Sequence, residues 1–267
     1  MERSKRNTLL KRVISSVILA PLVIGALWYG WGMTSMLILI VGAMLAWEWS
    51  TMIPNQNNAA YCAAYFLAVA STVCLIYPSY VYYPLLIILG ASLFVWYAAK
   101  AEKHRRLLTL GVVYLALGMG TLGWLYTWIH PLAALWLIVS VWSVDIGAYV
   151  VGTTLKGPKL APRISPNKTW AGLLGAIVFA VLTSLAFAHY VEPKWSLWLG
   201  IAGGVLAVVA QCGDLLESKI KRYLNIKDSS NLIPGHGGIL DRVDGLIFAA
   251  PFVLIAFVVL VYGYMLG

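Results

Sequence analysis

The chain has 267 residues, 61% of them hydrophobic and 11% charged, with a net charge of +9. Ordinary globular domains carry about 25% charged residues, whereas apolar runs of about 20 residues, the length that spans a bilayer, recur here. A soluble enzyme is excluded, and so is a membrane β-barrel, because apolar and polar residues do not alternate. The expected fold is all-α, a polytopic transmembrane helical protein of about nine spans with its N-terminus cytoplasmic.

Nine apolar segments fit, at roughly 13–29, 33–53, 59–77, 80–99, 107–127, 132–155, 170–190, 196–216 and 244–265. Turn chemistry separates them at Gly30 to Gly32, Pro54-Asn55, Pro78, His130-Pro131 and Glu192-Pro193. The N-terminal MERSKRNTLLKR lacks a small-residue cleavage site with a polar sequel, so the first segment reads as a retained span. Eighteen of the nineteen Lys and Arg residues fall in four clusters: the N-terminus, 100–106, 156–168 and 217–242. With nine spans all four lie on one side, which the positive-inside rule makes cytoplasmic. The positive balance therefore points to anionic membrane surfaces or substrates, with no nucleic-acid partner.

Residues 1–128 form an N-terminal half, spans 1 to 5, with little chemistry of its own. Trp28, Tyr29, Trp31, Trp47 and Trp49 lie near span ends, where amphipathic rings sit at the headgroup level. Glu48 is the one carboxylate of this half at membrane depth; it either makes a structural hydrogen bond or lines a polar cavity. Cys62, Cys74 and Cys212 sit in apolar runs without a Cys-x-x-Cys pair and read as buried packing thiols, not as disulfides or zinc ligands.

Residues 129–267, spans 6 to 9 with their loops, carry three polar sites. In span 6, Asp145, Ala148, Tyr149 and Gly152 share one helix face. Either the small residues leave room for a ligand beside Asp145, or an Asp–Tyr hydrogen bond locks two helices. In the loop from Lys156 to Gly172, three prolines and the early Gly157 exclude helix until Thr169 or Trp170. Ser165-Pro166-Asn167 is expected to lead into span 7 with backbone N–H groups suited to phosphate. Lys168 is placed in the first helical turn, where a bound anion would offset its unfavourable meeting with the dipole. The alternative is an ordinary positive-inside loop.

The third site is Gly213 to Asp244, which holds half of the ten acidic residues. Asp214, Glu217, Ser218 and Lys221 align along the end of span 8, with Lys219 and Arg222 on a neighbouring face. A polar segment follows, then the Pro-Gly-His-Gly-Gly turn. Asp241 and Asp244 sit at i, i+3 where span 9 begins. Carboxylates from two helix ends beside Lys and Arg suit a hard cation bridging phosphates, magnesium before zinc. His236 either binds phosphate or caps the turn.

The run Ser218-Lys219-Ile220-Lys221-Arg222, then Lys227-Asp228, then Pro234-Gly235-His236-Gly237-Gly238-Ile239-Leu240-Asp241-Arg242-Val243-Asp244 resembles the signature of the phosphatidate cytidylyltransferases, or CDP-diacylglycerol synthases. Ser165 to Gly172 and Asp145 to Gly152 resemble further motifs of the same family. The resemblance implies a nucleotidyltransferase of phospholipid biosynthesis. It would convert CTP and phosphatidate to CDP-diacylglycerol and pyrophosphate with Mg²⁺, at a site near the cytoplasmic surface of a bacterial inner membrane, often as a homodimer. By that resemblance Asp214 and Asp241 would hold the metal. Lys219, Arg222 and Arg242 would neutralise the reacting phosphates. Asp145, Tyr149, Ser165, Asn167, Lys168, Ser218, Lys221, Lys227, His236 and Asp244 would bind substrate. The competing readings are a CTP-dependent enzyme for another lipid acceptor, such as a polyprenol kinase, and a membrane transporter. Against transport stands the lack of an internal repeat.

Overall fold

A computed structural model describes residues 19–53, 58–76, 82–100, 102–232 and 237–266. The N-terminal basic cluster, the turns at Pro54-Asn55 and Pro78, and His236 lie outside the described residues. Nearly everything described is helix: α1 (Leu19–Tyr29), α2 (Trp31–Thr51), α3 (Asn58–Thr72), α4 (Tyr82–Ala98), α5 (Glu102–Trp124), α6 (Pro131–Leu155), α7 (Trp170–Val191), α8 (Ser196–Tyr223) and α9 (Leu240–Leu266). A π-helical segment, Leu125–Ile129, extends α5. Among the described residues, five stretches are long and apolar enough to cross a membrane: Trp31–Thr51, Glu102–Ile129, Pro131–Leu155, Trp170–Val191 and Pro193–Tyr223. The chain is a helical, polytopic membrane protein.

The helices fall into two units, residues 1–131 with 226–243, and 132–225 with 244–267. In the first, α2, α3 and α5 pack together and α4 lies against α3 and α5. Of the residues of α4 only Pro84 and Val95 are buried, as suits a helix apolar on every side and covered by lipid. Tyrosines tie the inner helices: Tyr65 Oη donates to Leu108 O at 2.9 Å and Tyr61 Oη to Ala98 O at 2.8 Å. In an apolar medium each hydroxyl needs such an acceptor.

In the second unit α7 and α8 pair over small residues. A Cβ on Gly203 would come within 2.7 Å of Ala180 O, so the two backbones touch there. Gly147 of α6 and Gly175 of α7 make a similar crossing, since a Cβ on Gly147 would meet Gly175 O at 2.6 Å. Trp136 Nε1 donates to Ser184 Oγ at 3.0 Å within the apolar packing.

Two expectations are corrected. Ser165 to Lys168 do not open α7. Ser165–Thr169 is a strand, β2, paired antiparallel with β1 (Lys159–Ala161) in register Lys159 with Thr169 and Ala161 with Ser165. Lys168 therefore precedes the helix. Pro166 and Pro162 deny the helical ladder to the loop, and Thr169 takes the N-cap, its Oγ1 accepting from Gly172 N–H at 3.0 Å. Nor are the thiols buried: Cys62 is half-buried, Cys74 and Cys212 exposed. Lipid covers an outward thiol as well as protein does.

Candidate active site

In the second unit the helix α8 carries the carboxylates, and glycines set their surroundings. Gly213, just before Asp214, packs on α9, where an added Cβ would lie 2.5 Å from Phe248 Cβ. Gly245, just after Asp244, faces Ala210 of α8. The two helices thus cross where Asp214 and Asp244 sit. Asp244 faces Glu217 within hydrogen-bonding reach and lies in the field of Asp214, while its Oδ1 accepts from Gly245 N–H at 2.7 Å.

Carboxyl groups this close to one another favour nearby cations, and two lysines supply them. Lys168, reaching from β2, places Nζ 2.6 Å from Asp214 Oδ2. Lys221 places Nζ 2.9 Å from Glu217 Oε2, with 11% and 2% of the two side chains exposed. Ser218 Oγ donates to Asp214 Oδ1 at 3.4 Å. Lys219 and Arg222, on the neighbouring face of α8, are exposed. Asn167 is exposed and Ser165 half-buried on the hairpin.

Asp145 and Tyr149 of α6 are both exposed, Tyr149 to 71%. Gly152 lies where helices pack closely. A Cβ there would meet Thr169 Oγ1 at 3.2 Å and Gly172 Cα at 3.3 Å, because α6 and the start of α7 approach closely.

In the first unit Ser229, Ser230 and Gly238 to Leu240 gather around two carboxylates, Glu48 and Asp241. Asp241, in the first turn of α9, accepts from Gly238 N–H at 2.8 Å and from Ser229 N–H at 3.2 Å through Oδ2. Glu48 of α2 is fully buried and receives four donors. Ser230 Oγ at 2.6 Å and Ile239 N–H at 2.8 Å reach Oε1; Ser229 Oγ at 3.0 Å and Leu240 N–H at 2.8 Å reach Oε2. The glycines of the turn follow. Gly237 has φ +83°, a region L-residues avoid. A Cβ on Gly238 would collide with Ser229 Oγ and lie 2.8 Å from both Glu48 oxygens. Lys227 and Arg242 flank this turn and are exposed.

The sequence of residues 10–260 matches the cytidylyltransferase family. This chain belongs to that family. It is 51% identical over 114 residues to the phosphatidate cytidylyltransferase of Brucella suis, covering 43% of this chain and 42% of that one. To the Rickettsia typhi protein of the same name it is 38% identical over 178 residues, covering 64% and 78%. The Rickettsia bellii protein of that name is 50% identical over 127 residues, covering 43% and 55%. The aligned region thus spans less than half the length of the Brucella relative and most of the Rickettsia typhi one.

Within this family member the sequence-predicted residues divide between the units. Asp145, Tyr149, Ser165, Asn167, Lys168, Asp214, Ser218, Lys219, Lys221, Arg222 and Asp244 belong to the second; Lys227, Asp241 and Arg242 belong to the first. Among the described residues no three His, Cys, Asp or Glu side chains gather as a metal-ion site. The donors at hand are carboxylate oxygens, which suit a hard cation such as magnesium. Of the two alternatives the sequence left for Glu48, the structural hydrogen bond holds, but Ser229 and Ser230 were not foreseen as its partners. A lone acid inside an apolar span was the available signal, and its partner was more than 180 residues away.

Proposed function

We propose that the chain transfers the cytidylyl group of CTP to phosphatidate, forming CDP-diacylglycerol and releasing pyrophosphate, with magnesium bound through Asp214 and Asp241. The match to the cytidylyltransferase family over residues 10–260 carries the reading, and the relatives named phosphatidate cytidylyltransferase supply the acceptor.

The chemistry suits the side chains present. A phosphate monoester has its second pKa at about 6, so phosphatidate is mostly dianionic at neutral pH and needs no dedicated general base. One of its oxygens forms a bond to the α-phosphorus of CTP as the bond from that phosphorus to the pyrophosphate oxygen breaks. What remains for the protein is orientation and neutralisation of charge. Lys168, with Ser165 and Asn167 on the hairpin, holds the nucleotide phosphates. Lys219, Arg222 and Arg242 offset phosphatidate and the departing pyrophosphate. Ser218 and Asp244 orient Asp214, and Lys221 keeps the buried Glu217 neutralised. Asp145, Tyr149, Lys227 and His236 contact substrate. Bound magnesium would offset charge on the phosphate oxygens.

The same reading has nine spans with the N-terminus and the four basic clusters in the cytoplasm, where CTP is found, and phosphatidate arriving laterally from the leaflet of a bacterial inner membrane. Reporter fusions after each span test that topology. Crosslinking in membranes tests the homodimer.

The deciding experiment incubates detergent-purified protein with labelled CTP and phosphatidate, with magnesium or with EDTA. Magnesium-dependent label in the lipid is expected, and Asp241→Asn abolishes it in a protein that still melts cooperatively. No transfer from a folded sample rejects the reading. Transfer to a different lipid acceptor alone moves it to another lipid substrate.

A further inference from the structure

Glu48 is the one acidic residue of α2, and it lies in the half of the chain without other site residues. Its side chain is fully buried, and a carboxylate offers about four acceptor positions. All four are taken, two by hydroxyls and two by backbone N–H groups. Glu48 therefore has no lone pair left for a metal or a substrate.

The donors share a second feature. They come from Ser229 and Ser230 and from Ile239 and Leu240, beside the groups that also serve Asp241. Ser229 sends its hydroxyl to Glu48 and its N–H to Asp241. Of three consecutive N–H groups, Gly238 donates to Asp241 while Ile239 and Leu240 donate to Glu48. The Asp241 carboxylate is thus aimed by Ser229 and Gly238, whose own hydroxyl and neighbouring N–H groups are held to α2 by the buried Glu48 carboxyl. Gly238 has no side chain because one would fall on Ser229 Oγ and the Glu48 oxygens.

We propose that Glu48 is a positioning residue for Asp241, setting the orientation in which that carboxylate meets its divalent cation. The proposal rests on the reading above that Asp241 is a metal ligand. Groups that orient a ligand without touching the metal typically set affinity by about 10- to 100-fold. Glu48→Gln puts an NH₂ where two donors point. The hydroxyl can turn to accept; the backbone N–H cannot, so the turn must shift.

The test measures Mn²⁺ binding to the full-length protein in detergent by the loss of the free-ion electron paramagnetic resonance signal, Mn²⁺ standing in for magnesium. Activity is titrated with Mg²⁺ alongside. Glu48→Gln is expected to weaken Mn²⁺ binding by about tenfold or more. It should raise the Mg²⁺ concentration for half-maximal rate while leaving the KM for CTP at saturating metal little changed. Tyr65→Phe, which removes a buried hydrogen bond elsewhere in the same unit, controls for general loosening and should leave Mn²⁺ binding unaltered. If Glu48→Gln does not fold, the Ser229→Ala, Ser230→Ala double variant removes both hydroxyl donors and should act in the same direction. Wild-type Mn²⁺ affinity in the folded variant overturns the proposal, and so does a wild-type protein that binds no Mn²⁺. A wild-type protein that binds Mn²⁺ but transfers no label refutes the proposed function alone, and the effect of Glu48→Gln on binding then still decides the positioning role.

Discussion

Lys168 Nζ stands 2.6 Å from Asp214 Oδ2, joining the β-hairpin to the cytidylyltransferase motif on α8. The pair is partly shielded, with 15% and 32% of the two side chains exposed. It explains how a cation can stand just before a helix N-terminus, where the macrodipole opposes it. The hairpin delivers the ammonium to a carboxylate on a different helix.

Lys168→Met should therefore impair catalysis more than folding. Removing one preorganised charge of this kind typically costs about 10²–10³ in rate, and a loss of that size in kcat/KM for CTP is expected. Lys168→Arg should recover part of it. Steady-state rates beside a thermal melt check this, and wild-type rates for Lys168→Met would remove Lys168 from the nucleotide site.

The start of α7 depends on one hydroxyl. Thr169→Ala loses the acceptor for Gly172 N–H and should lower stability by about 1 kcal/mol, whereas Thr169→Ser keeps it. Thermal or denaturant unfolding in detergent separates the two, and equal midpoints would show that the cap contributes nothing.

Neighbouring glycines of α8 should respond differently. A Cβ on Gly203 meets Ala180 O at 2.7 Å, and backbone cannot turn aside; on Gly204 it meets Val181 Cγ2 at an ordinary 3.4 Å. Gly203→Ala should cost about 1–3 kcal/mol by overpacking, and Gly204→Ala little. Melting midpoints of the two variants give the comparison.

The buried ion pair of α8 predicts non-additivity. Lys221→Met strands Glu217, which is 2% exposed, and breaking such a pair from one side costs about 3–5 kcal/mol. Adding Glu217→Gln should restore most of that stability. A double-mutant cycle measured by unfolding tests it, and strictly additive losses would mean the two charges do not interact.

The sequence by itself determined which apolar segments are helical, though α8 runs to Tyr223, seven residues past the expected span, and α9 starts at Leu240, four residues before it. Runs of apolar residues of bilayer length specify spans without reference to neighbours, and Pro131, Thr169 and Gly30 mark ends through purely local chemistry. The motif spacing likewise put Asp214, Ser218, Glu217 and Lys221 along one helix, where the pairs Ser218 with Asp214 and Lys221 with Glu217 form at i, i+4. Only the tertiary structure decided what these helices face. A helix apolar all round carries no period to say which side meets protein and which meets lipid, so Cys74 and Cys212 came out exposed and Gly152 came out packed. The hairpin at Ser165–Thr169 needed its partner strand before it could be a strand. Glu48 shows the limit most plainly. Its charge marked it as requiring partners, but those partners are hydroxyls and backbone N–H groups 181 to 192 residues away, which only folding brings to it.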